Sequence, residues 1–233
     1  MTDKWNPLPH CFSSLAQDII MVMHWFYYVA RYLTGLFLFT FTRFQIIGRD
    51  NIPAHGRLLV VVNHIHLADP PVVGVSINRK AIFMAKEQLF RHWPLRFIVK
   101  NYGAFPVRRG RWRQTLRQAE EWLARDVALI IFPEGKRSRT FRLQPALTGP
   151  ALIATRFNTP VLPVGISGTE KISGPVWWLR RPGITVNIGQ PFYLPAAESR
   201  PGKQELTQFT DFIMTRIAEL LPPHYRGEYG AKI

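Results

Sequence analysis

A series of short apolar runs, several with no polar face, constrains this chain more than any other feature. Arg57–Val62 (RLLVVV), Lys80–Ala85, Gly103–Val107, Val127–Phe132 (VALIIF), Val161–Ile166 and Ile184–Ile188 all read as strands. Strands without polar alternation are covered on both faces, which is the situation of a sheet between helix layers. Helical patterns fall between them. Pro70–Asn78 opens on a proline, which suits the first turn of a helix. Arg111–Arg125 sets Trp112, Leu116, Ala119 and Leu123 on one face and Arg, Gln and Glu on the other, the mark of a surface helix. Leu206, Phe209, Ile213, Ile217 and Leu220 outline a closing amphipathic helix. The alternation implies an α/β fold: one domain over residues 45–233 with a largely buried mixed sheet flanked by helices. A length of 233 residues can bury one such core.

Residues 1–44 read differently. Ile19–Phe41 is almost wholly apolar and aromatic, long enough to cross a bilayer. However, His24 and Arg31 lie inside it, and an arginine at mid-bilayer costs roughly 2.5–3.5 kcal/mol on insertion scales. Trp25, Tyr27, Tyr28 and Tyr32 are rings that settle at headgroup level. The segment is therefore expected to be a membrane-associating helix lying at the interface or re-entering it. The competing expectation is a helix packed on the protein's own core. No signal peptide is expected at the N-terminus. A formal net charge of +15 suits nucleic acid, an anionic membrane or acidic small substrates. The aromatics cluster in apolar runs instead of interleaving with basic residues, which disfavours nucleic acid. One cysteine, Cys11, excludes an internal disulfide, and no Cys/His cluster has metal-ligand spacing, so no metal is expected.

Directly after Val62 comes NHIHLADPP. His64 and Asp69 stand five apart, about 140° on a continuous α-helix, so they meet only if the chain turns between them. Asp69 precedes a proline and is biased away from helical dihedrals, which places the helix start at Pro70. A His at a strand end and an Asp at a helix start can share a hydrogen bond that fixes the imidazole tautomer and supports the charge it gains with a proton. Taken alone, the same spacing more often marks a helix-capping Asp beside a loop His, and the other motifs of this chain shift that balance.

Further blocks follow in order: Phe83-Met84-Ala85-Lys86-Glu87, Gly103-Ala104-Phe105-Pro106-Val107-Arg108-Arg109, Phe132-Pro133-Glu134-Gly135-Lys136-Arg137-Ser138 and Val161-Leu162-Pro163-Val164-Gly165. With Asn63, His64 and Asp69 as an NHxxxxD motif, the chain resembles the glycerolipid acyltransferases typified by 1-acyl-glycerol-3-phosphate acyltransferase, over roughly residues 45 to 190. The resemblance implies transfer of a fatty acyl group from acyl-CoA or an acyl-carrier protein to the 2-hydroxyl of 1-acyl-glycerol-3-phosphate, at the cytoplasmic face of a membrane and with no cofactor beyond the donor. It makes His64 the base and Asp69 its partner, and sets Lys86, Arg109 and Arg137 on the acceptor phosphate. Glu134 is expected to hold its loop by pairing with Lys136, Arg137 or Arg139, or to touch an acceptor hydroxyl. Gly135 is expected to permit a turn or a close backbone approach.

The chemistry of the residues supports this. Acyl transfer to an alcohol needs a base, and His is poised for that near neutrality. Arg suits phosphate because its planar fork donates two parallel hydrogen bonds. His66, Arg108 and Lys136 stand where many members have Ser, an acidic or neutral residue, and Thr. These departures leave the acceptor open, with glycerol-3-phosphate or another lysolipid as alternatives. His66 also competes with His64 as base on spacing alone. No GxSxG elbow or phosphate-binding loop is present. The rival class is a non-catalytic basic protein that binds membranes.

Overall fold

Strand β2, Leu58–Val62, shows why polar residues are missing from these runs: all five of its residues are buried. Leu59 and Val61 join one hydrophobic layer, and Leu58, Val60 and Val62 the other. The computed structural model describes residues 27–91, 96, 99, 103–107, 110–195 and 201–233. Around β2 stand β1 (Arg43–Ile47), β3 (Ala81–Lys86), β4 (Ala104–Val107), β5 (Ala128–Ile131), β6 (Val161–Ser167) and β7 (Gly183–Ile188). They form one seven-stranded sheet in the order β1-β7-β6-β2-β5-β3-β4. Among these seven strands β6 and β7 pair antiparallel, and the other neighbours run parallel. The expected single α/β domain with a mixed sheet is therefore present.

Among the described residues five helices cover the sheet: α1 over residues 27–41, α2 (Asp69–Ser76), α3 (Trp112–Ala124), α4 (Gly149–Arg156) and α5 (Lys203–Glu219). Leu38 of α1 and Val72 and Val73 of α2 pack on one face. Leu116, Ala119 and Leu123 of α3, Ala151 and Ile153 of α4, and Ile213 and Ile217 of α5 pack on the other. In α3 the buried stripe also takes Trp122, while Trp112 at the helix start is only half-buried. Among the described residues no helix is long and apolar enough to cross a membrane. Residues 19–26 of the apolar segment lie outside the described residues.

The direction of the strands creates one chemically useful edge. β2, β3, β4, β5 and β6 are mutually parallel and all end there. β7 runs the other way and begins there, as does β1, its parallel neighbour. The chain leaves β2 through α2 on one face, whereas it leaves the adjacent β5 through α4 on the opposite face. Neighbouring strands whose connections part to opposite faces leave a crevice at their carboxyl ends, where α/β sheets bind ligands.

Candidate active site

The crevice is built from the residues that follow β2 and β5. Asn63 ends β2 with a two-way bond to β6: its Nδ2 donates to the Ile166 carbonyl at 2.9 Å, and Ile166 N donates to its Oδ1 at 2.7 Å. The side chain thus stands in for one more ladder pair and frees the backbone to turn out of the sheet at His64. The turn is tight. Ile65 N and His66 N both donate to Asp69 Oδ2 at 2.7 Å, and His64 Nδ1 donates to the same oxygen at 2.8 Å. The other oxygen, Oδ1, accepts from the Thr169 hydroxyl at 2.6 Å.

Asp69 is wholly buried, so its charge depends on these four donors. An ionised carboxylate only accepts, so Nδ1 carries the hydrogen and Nε2 presents a lone pair. The imidazole side chain keeps 16% exposure, and its ring stacks on Phe132 with centroids 4.3 Å apart. Plane, tautomer and one open nitrogen are all set, which is the arrangement a general base requires.

The helix start differs from the expectation. Asp69 is the first residue of α2, with Ala68 before it. Its carboxylate bonds back to the loop instead of capping the helix, accepting from the buried N–H of Ile65 and the partly buried N–H of His66. His66 is separated from His64 by the same turn. Its Nδ1 accepts from Ala68 N at 3.3 Å, which ties the ring to its own loop.

Glu134 is buried at 4% exposure. It does hold its loop, but through backbone groups and not through a neighbouring cation. Oε1 accepts from His64 N at 2.9 Å and Oε2 from Gln144 N at 3.0 Å. Burial raises its carboxyl to about 7, against the pull of these two N–H donors and of Lys136. Gly135 follows with φ +64°, and a Cβ there would lie 2.9 Å from Leu147 Cδ1. This left-handed turn, which glycine adopts without strain, lets Ser138 N return to the His64 carbonyl at 2.7 Å.

Lys86 closes β3 and Arg137 lies in the loop beyond β5, both exposed at the edge that carries His64. Neither has a carboxylate partner among the described residues. Arg109, the third expected phosphate ligand, and Arg108 beside it lie outside the described residues. Two contributors escaped the sequence reading. Asn63 was part of the motif but had no assigned work. Thr169 gave no signal at all, since it meets Asp69 across 100 positions. It is delivered by the left-handed turn at Gly168, φ +88°, where a Cβ would run into the Gly183 carbonyl. Gly168 N donates to the Tyr225 hydroxyl at 3.2 Å, and that hydroxyl donates to Glu170 at 2.6 Å.

A dyad of this kind at the switch point of a mainly parallel sheet sets a fixed base where α/β sheets bind ligands. The chain matches the Acyltransferase family model over residues 43–167 and belongs to that family. It is 27% identical over 173 residues to a chloroplastic 1-acyl-sn-glycerol-3-phosphate acyltransferase of Brassica napus, covering 72% of this chain and 50% of the relative. A chloroplastic 1-acyl-sn-glycerol-3-phosphate acyltransferase of Arabidopsis thaliana is 25% identical, covering 72% and 48%. The chain spans about half the length of these curated relatives. The crystal structure of the 1-acyl-sn-glycerophosphate acyltransferase PlsC from Thermotoga maritima superposes with a TM-score of 0.64 at 25% identity, covering 83% of this chain and 78% of that one.

Proposed function

We propose that this protein acylates the 2-hydroxyl of 1-acyl-glycerol-3-phosphate to give phosphatidic acid, with acyl-CoA or an acyl-carrier protein as donor. The observation that carries the reading is the buried Asp69 fixing His64 through Nδ1, in a chain whose relatives bear that activity in their names. The acceptor hydroxyl gives its proton to His64 Nε2 as its oxygen attacks the thioester carbonyl. The tetrahedral adduct then collapses, the carbon–sulfur bond breaks, and the leaving thiolate takes the proton back from the imidazolium. Asp69 orients the ring and offsets the positive charge that it gains. No acyl-enzyme forms in this scheme. Lys86, the last residue of β3, and Arg137, in the loop beyond β5, supply cations for the acceptor phosphate at the site's edge, and the sequence motif adds Arg109 to them.

Both acceptor and product are bilayer lipids, and drawing them into water would expose their chains. The reading therefore places the site against the cytoplasmic face of a membrane, where the donors are found. Tyr32, Leu33, Leu36 and Phe39 of α1 are exposed and give it an apolar outer side. The test is turnover by purified protein on a panel of lysophospholipids and glycerol-3-phosphate. Phosphatidic acid should form, and His64→Ala should lower the rate roughly 10²-fold or more, the scale of a positioned base. Turnover of that variant at the parent rate, or a trapped acyl-protein, overturns the mechanism. Turnover of another acceptor alone reassigns the substrate.

A further inference from the structure

The long connection from β6 to β7 begins beside Asp69 and ends far from it in character. Its start holds Thr169, and its middle is Val176-Trp177-Trp178-Leu179-Arg180-Arg181, with a 3-10 turn at Trp177–Arg180. This turn exposes side chains that a water-facing loop seldom shows: Leu179 is 64% exposed and Trp178 43%. Isolated exposed apolar residues need no explanation, but here they join a larger patch. Trp177 packs edge-on against Phe37 of α1 at 5.7 Å, and Trp178 against Phe41 at 6.1 Å. Through these contacts the turn extends the outer side of α1, where Leu33, Leu36 and Phe37 are also exposed.

Position and charge select the occupant. α1 ends next to Arg43, whose N–H donates to the Pro182 carbonyl at 3.0 Å. Both elements therefore lie at the sheet edge where β1 and β7 begin and where His64 sits. Neither residues 27–43 nor residues 171–182 contain an Asp or Glu, while Lys171, Arg180 and Arg181 are exposed. An apolar patch with Trp at its rim, flanked by cations and with the connection's one acid, Glu170, held by the Tyr225 hydroxyl, matches an anionic headgroup region. We infer that the β6–β7 connection is a second membrane-contacting element, separate from the N-terminal segment. Trp178 and Leu179 enter the headgroup boundary of an anionic phospholipid bilayer, and Arg180 and Arg181 meet its phosphates. This deepens the membrane reading given above, but its test reads lipid contact and not turnover, so the two can fail separately.

The experiment uses the full chain with Cys11→Ser and Leu179→Cys, labelled at the new thiol with an environment-sensitive fluorophore. Vesicles of phosphatidylcholine, alone or mixed with phosphatidylglycerol, are added. The label should move to an apolar environment on binding the mixed vesicles. An unchanged label while the chain sediments with vesicles overturns the inference, and so does a chain that binds neither vesicle. A label already shielded in buffer and indifferent to vesicles also overturns it, because the turn is then covered by residues 1–26 or by a second copy. In unlabelled protein, Trp178→Asp with Leu179→Asp should weaken vesicle partitioning about tenfold or more. Arg180→Ala with Arg181→Ala should weaken it about fivefold per arginine on the mixed vesicles and leave neutral ones unaffected. Equal weakening on both vesicle types removes the headgroup role.

Discussion

Thr169 bonds the one carboxylate oxygen of Asp69 that the His64 loop does not occupy. Replacing it with Val keeps the shape and removes the donor from a buried charge, so kcat should fall roughly tenfold or more with acceptor KM little changed. Thr169→Ser should restore the rate. The proton resonance of the His64–Asp69 bond should shift in the Val variant and recover with Ser, which a loss of packing alone would not produce. Arg137 tests the other half of the site. Arg137→Lys keeps the charge and loses the fork, so KM for a phosphate-bearing acceptor should rise several-fold while KM for the donor stays put. An equal rise for both counts against a phosphate role. His64, Asp69 and Glu134 could be located from the sequence because they fall in motif blocks whose residue types and order carry the resemblance. Thr169 could not, because its contribution rests on where β6 ends relative to β2, a fact of register and not of local pattern.

At the scale of elements, α1 has two sides with opposite demands. Leu38 is buried in the core beneath it and Arg31 Nη2 approaches the Val75 carbonyl at 3.5 Å, while Leu36 is 55% exposed. Leu38→Ala should therefore destabilise the fold by about 2–5 kcal/mol, measurable by chemical unfolding. Leu36→Asp should leave unfolding nearly unchanged and lower vesicle binding. If the two variants change places in these assays, the orientation of α1 is wrong. Strands β2, β5 and β6 were plain in the sequence because an unbroken apolar run of that length has few other homes. β1 and α4 were not. RFQII begins on an arginine and mixes polar with apolar positions, and GPALIATR spends its first two of eight residues on Gly and Pro, too short a stretch for helical periodicity to emerge.

For the molecule as a whole, the buried Glu134 carboxyl ties stability to pH. Its folded value near 7 lies above the ordinary 4.5, so the folded state holds the proton more tightly than the unfolded chain. Its contribution is full below about pH 4.5 and is lost as pH rises through 7, by about 3 kcal/mol at most. Unfolding free energy measured from pH 5 to pH 8 should fall more steeply in the parent than in Glu134→Gln, and parallel slopes would contradict the assignment.

The four donors around Asp69 also differ in when they exist. Three come from residues 64–66, a few positions before it, and need no part of the chain beyond that short loop. The fourth belongs to residue 169, whose turn is in turn tied to residue 225. A ribosome adding about 5–20 residues per second takes several seconds to pass from one to the next. Through that interval the nascent chain carries a base whose partner is still incompletely held. The His64–Asp69 pair is thus fully held only after residue 169 has been added.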